Sequence, residues 1–66
     1  MAIVKVIELI SEGDSVESAI TAAVDEASKT VRNIKSVYVK DIQALVQNNK
    51  VEKYRIDVKV SFVISK

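Results

Sequence analysis

Polar and apolar positions divide the chain into four periodic stretches. Residues 3–10, Ile-Val-Lys-Val-Ile-Glu-Leu-Ile, are β-branched and apolar on both parities, broken only by Lys5 on one and Glu8 on the other. This predicts a strand. Cover by the chain's own helix requires a single apolar set, so the second set points to cover by another subunit or to scattered surface apolars. Residues 11–15, Ser-Glu-Gly-Asp-Ser, read as a loop. Asp14 is the expected N-cap, with Glu17 three residues on at capping-box spacing. From Ser15 to Val31 the spacing of Val16, Ile20, Val24, Ala27 and Val31 predicts a helix with one apolar stripe. Ala19, Ala22 and Ala23 flank the stripe, and Asn33 is expected to close the helix in the left-handed region.

Two further strands follow. Ile34 to Gln47 places Val37 and Val39 on one parity, then Ile42, Ala44 and Val46 on the other. Such a switch predicts a β-bulge near Lys40-Asp41. Gln47-Asn48-Asn49-Lys50 is the expected hairpin turn, because asparagine tolerates positive φ. Val51 to Ile64 alternates nearly without error. Tyr54, Ile56, Val58, Val60, Phe62 and Ile64 share one face, and Lys53, Arg55, Asp57, Lys59 and Ser61 share the other. The polar set reads either as solvated surface with cross-strand ion pairs or as an oligomer contact or ligand-pocket lining. The order β-α-β-β implies an α+β fold, with one helix across a three-stranded antiparallel sheet. Residues 1–66 read as one domain.

Length turns this reading toward assembly. A chain of 66 residues is marginal alone and ordinarily needs disulfides, a metal or oligomerisation. It has no cysteine and no histidine, which removes a disulfide framework, thiolate metal sites and the commonest general base. With no Gly-rich phosphate loop and no nucleophile–base spacing either, an enzyme is not expected. The formal charge is +1, with both signs spread along the chain, so a nucleic-acid footprint is lacking. The opening Met1-Ala2-Ile3-Val4-Lys5-Val6 shows no leader pattern and no apolar run reaches membrane-spanning length. The expected setting is cytoplasmic. A metal reading of Glu12, Asp14 and Glu17 stands beside the plainer one of helix cap and dipole partners.

The segments Val4-Lys5-Val6-Ile7-Glu8-Leu9, Ala27-Ser28-Lys29-Thr30-Val31-Arg32-Asn33-Ile34 and Tyr54 to Phe62, in this order and length, resemble the dodecin family. The resemblance covers nearly the whole chain and implies a three-stranded antiparallel sheet partly wrapping one helix. It also implies a hollow shell of twelve copies with cubic symmetry, which binds, stores or buffers a small ligand or ion. The best-known members bind flavins in pairs at subunit interfaces. There a tryptophan near the start of the second strand stacks on the isoalloxazine ring, and a glutamine in the last strand bonds its polar edge. Those positions match Ser36 and Arg55 here, and both are substituted. Serine offers no stacking face. Arginine offers only donors and a fixed charge, suited to stacking on a ring or clamping phosphate or carboxylate. Flavin (FMN, FAD or riboflavin) is weakened as the ligand on this account. The absence of tryptophan together with Tyr54-Arg55 is closer to a subgroup called calcium dodecins. Glu8, Glu12, Asp14, Asp41 and Asp57 supply oxygen ligands for a hard cation, without a spacing that joins them. The contrasting expectation is a structural or protein-interaction module with no small-molecule ligand.

Overall fold

A computed structural model describes residues 2–65; Met1, the first residue read for a leader, lies outside them. Its elements are β1 (Ile3–Gly13), α1 (Val16–Ala27), β2 (Ile34–Gln47) and β3 (Lys50–Ser65). The sheet is antiparallel throughout, in the order β1-β3-β2. The fold class is therefore the expected one, and the strand with the cleanest alternation occupies the centre. Ile56, Val58 and Val60 of β3 are wholly inaccessible. Ile7 and Leu9 of β1 and Val37 and Val39 of β2 pack beside them under the helix. All seven residues lie on the helix-facing parity of their strands, and their burial is the main hydrophobic stabilisation of the subunit.

The helix touches this layer through alanine. Ala19, Ala23 and Ala27, one turn apart, are buried, which brings the helix backbone close to the sheet. Val16 and Ile20 are only partly buried at the sides of that line, and Ala22 is exposed. The stripe is thus centred on the small residues rather than on the valines.

Both ends of the helix depart from expectation. The loop predicted at 11–15 shrinks to Asp14-Ser15, because Ser11, Glu12 and Gly13 continue β1 opposite Ile56, Arg55 and Tyr54. The N-cap is Ser15, not Asp14. Ser15 Oγ accepts from Ser18 N at 3.0 Å, and Ser18 Oγ accepts from Ser15 N at 3.0 Å. The box closes through two serines because Ser18, not Glu17, holds the third helical position. The helix stops at Ala27, well short of Val31. Ser28 Oγ donates to Asp25 O at 2.7 Å and Thr30 Oγ1 to Ala27 O at 3.4 Å, so hydroxyls cap the last carbonyls. Asn33 does have positive φ, 62°, but it launches β2 instead of closing the helix.

The hairpin follows its sequence signals. Pairing of β2 with β3 slips between Val39 and Asp41, leaving Lys40 as the extra residue of a bulge at the predicted place. Asn48 and Asn49 take φ of 55° and 64°, the pair of positive values that a two-residue turn of matching twist requires. The helix leaves the far end of this hairpin uncovered. Ile42, Val46 and Val51 are 56%, 63% and 54% exposed.

Candidate functional site

The face of the sheet opposite the helix carries the polar parity of β3. Antiparallel register sets residues of the three strands in rows across it. Glu8, Lys59 and Tyr38 form one row, Ile10, Asp57 and Asp41 the next, and Glu12, Arg55 and Gln43 the third. The bulge matters here. By inserting Lys40 it lets both Lys40 and Asp41 reach this face, where Lys40 Nζ stands 3.6 Å from Glu8 Oε2. Without it Asp41 would fall on the helix side.

A depression of about 390 Å³ is lined by Ile10, Asp41, Ile42, Gln43, Arg55, Ile56 and Asp57. Arg55 Nε donates to Glu12 Oε2 at 2.9 Å, and Arg55 Nη2 lies 2.8 Å from the same oxygen. Lys53 Nζ is 3.7 Å from Glu12 Oε1. The bond from Arg55 holds the Glu12 carboxyl below its ordinary pKa, with the charges of Arg55 and Lys53 adding to the effect. One row away, a side-chain hydrogen bond shared with Glu8 pushes Asp57 up, and burial and the Glu8 charge push the same way. Glu8 is lowered in turn by that bond and by Lys40. Asp57 Oδ1 is enclosed and has no hydrogen-bond partner. The depression thus offers an amide with both donor and acceptor, a tethered guanidinium and the side of an isoleucine.

The two residues singled out from sequence lie on the same face but not together. Ser36 sits opposite Ser61, and the two hydroxyls are hydrogen-bonded. Arg55 is six residues along β3 from Ser61, about 20 Å at strand rise. Only Arg55 lines the depression, so one subunit does not unite the pair. Sequence reasoning missed Gln43 and Ile10, which become neighbours of Arg55 only through register and bulge. It also passed over Tyr38, whose ring is 65% exposed on this face, two residues beyond Ser36. Its parity with Ser36 was the available signal.

The proposed cation ligands do not converge. Among the described residues no three His, Cys, Asp or Glu side chains are grouped to hold a metal ion. Glu12 is taken up by Arg55 and Lys53, and Asp14 stands off in the bend before α1. A single subunit does not fit a calcium cage. No helix among the described residues is long and apolar enough to cross a membrane.

Comparison with known proteins agrees with this architecture. The tt0972 protein of Thermus thermophilus superposes with a TM-score of 0.91 at 28% identity, over 100% of this chain and 98% of that one. A T. thermophilus dodecin with an arginine-to-alanine substitution gives 0.90 at 28% identity, over 100% and 98% of the two chains. The dodecin from Streptomyces davaonensis gives 0.87 at 18% identity, over 98% and 97%, which speaks to the fold alone. No curated protein matches the chain. The dodecin family pattern matches residues 3–65, and the chain belongs to the dodecin family.

Proposed function

We propose that this protein is a non-enzymatic, cytoplasmic dodecin whose 66 residues act as one domain, and that twelve copies form a hollow shell that binds, stores or buffers a small ligand. The observation that carries the ligand reading is the depression at Arg55, the last-strand position of the family's ligand contact. It combines an apolar side, at Ile10, with polar groups that face inward from two strands. Groups of this kind fix the orientation of a mostly apolar ring. Flavin is the ligand supported by family membership. Tyr38 is the one aromatic ring identified on the ligand face and stands in the neighbourhood of the substituted Ser36, so it is the candidate for the stacking surface. Calcium has weaker support, because any cage must draw carboxylates such as Glu8 and Asp41 from several symmetry-related copies.

Native mass spectrometry of freshly purified protein tests both parts. The expected species has twelve times the 7.3 kDa subunit mass, with retained ligand visible as a further increment; a stable monomer would overturn the shell. Titration with riboflavin, followed by flavin fluorescence, is expected to show quenching that weakens about threefold or more in Tyr38→Ala, from the loss of an aromatic contact. Equal quenching in both proteins would remove Tyr38 from the site. A shell of the right mass with no quenching and no retained ligand would favour the structural module instead.

A further inference from the structure

We infer that Glu12 sets the ligand class of the Arg55 depression, occupying the guanidinium as a built-in carboxylate so that the site takes uncharged polar ring systems and turns away phosphate and carboxylate groups. The inference rests on the ligand-binding reading above. Arg55 directs two donors, Nε–H and Nη2, onto the single oxygen Oε2 of Glu12, at 2.9 and 2.8 Å. The other oxygen, Oε1, stands 3.7 Å from Lys53 Nζ. One carboxylate therefore engages both Lys53 and Arg55. Glu12 and Arg55 are direct register partners, so the backbone itself holds the pair in place. Such forked contacts are the ones an oxyanion of a ligand would otherwise make.

The remaining lining points the same way. Asp41 and Asp57 face each other across β2 and β3 on the side of the depression away from Glu12. An incoming phosphate would have to displace Glu12 and then sit near two further carboxyl groups. Gln43 serves a carbonyl or an N–H equally. A ring edge that carries an amide group satisfies Gln43 without disturbing the ion pair. Removal of Glu12 reverses the preference. It frees Arg55 and Lys53, two residues apart on one face and about 7 Å along the strand, as a dibasic clamp for an oxyanion.

The test measures inorganic phosphate binding by ³¹P line broadening in the intact wild-type protein, in Glu12→Gln and in Glu12→Gln with Arg55→Ala. Glu12→Ser serves as a second neutral substitution. Phosphate is expected to bind the two single variants at least about threefold more tightly than wild type, the scale of one exposed ion pair. The double variant is expected to fall back to the wild-type value. Equal binding in wild type and both single variants, or a gain that survives loss of Arg55, would overturn the inference. Riboflavin and FMN share a ring system and differ in a phosphate, so their affinity ratio in the same samples gives a second reading. The ratio should shift toward FMN in Glu12→Gln by a similar factor. Absence of any flavin binding would count against the flavin reading alone, since the phosphate comparison is read independently.

Discussion

Asp57 shows how one side chain can work against the fold that holds it. It is placed opposite Asp41 and bonded to Glu8, and like charges directly across a sheet are unfavourable. A carboxyl whose pKa is raised in the folded state contributes stability below its ordinary value, 3.8, and loses it as pH rises through the raised value. Ionised Asp57 therefore opposes folding at neutral pH. Asp57→Asn, which keeps the shape and can still donate to Glu8, should melt at a higher temperature than wild type at pH 7. The difference should close as the pH falls below 3.8, as thermal melts across that range will show. A lower melting temperature for Asp57→Asn at pH 7 would contradict this account. Glu12 behaves in the opposite sense. Its depressed pKa means that its contribution is present above the ordinary carboxylate value and lost in acid. Neither behaviour was legible in the sequence, where Asp57 was one alternating charge of the last strand and Glu12 a loop carboxylate read as a helix-start partner or metal ligand. Their effects depend on the partner across the strand, and a partner is set by register, which no local pattern states.

At the scale of elements, the strands and the hairpin turn were legible and the two joints of the helix were not. Period-two alternation named the buried face of β3, and the parity switch within β2 located the bulge, because both follow directly from the pleat. The junction of β1 with α1 was misplaced. Three residues of turn-like composition, Ser11, Glu12 and Gly13, are held in the ladder by β3, so tertiary pairing outweighs local preference. Gly13 is needed there for space, not for φ. A Cβ on it would lie 2.5 Å from Ser18 Oγ and 2.7 Å from Ala19 N. Gly13→Ala should therefore break the serine capping box and push the helix off the strand, at a cost of about 1–3 kcal/mol. Chemical denaturation will check it. Ser15→Ala, which removes half of the box while leaving the space, should cost about 0.5–2 kcal/mol. A Gly13→Ala protein as stable as wild type would show that the helix start can shift freely.

The whole subunit is long for its size. It measures 51 × 19 × 13 Å with a radius of gyration of 13.6 Å, where a compact chain of this length would have about 11 Å. Its accessible surface is 4883 Å², against about 4,200 Å² for a compact monomer of its mass. The excess includes apolar residues on both sides of the sheet. Val4, Val6 and Ile10 of β1 are more than half exposed on the face away from the helix, and Val46 and Val51 lie uncovered in the hairpin. Exposed apolar surface of this kind suits an interaction site, one of the two readings that the second apolar set of the first strand left open. Val46 and Val51 are register partners, so the double variant Val46→Glu with Val51→Glu should leave the subunit's helix-covered core intact and shift the native mass from the shell toward smaller species. Retention of the full assembly would place the hairpin end outside the contacts.

The central position of β3 also governs when the fold can form. Among the described residues β1 and β2 do not pair with each other, and each has as its only ladder partner the strand that follows both in the chain. During synthesis the first three elements emerge with no sheet to join. Helix α1 by itself, at 12 residues, is too short to persist in water. The sheet therefore waits for residues 50–65. A free peptide ending at Gln47 should be as sensitive to protease as an unfolded chain.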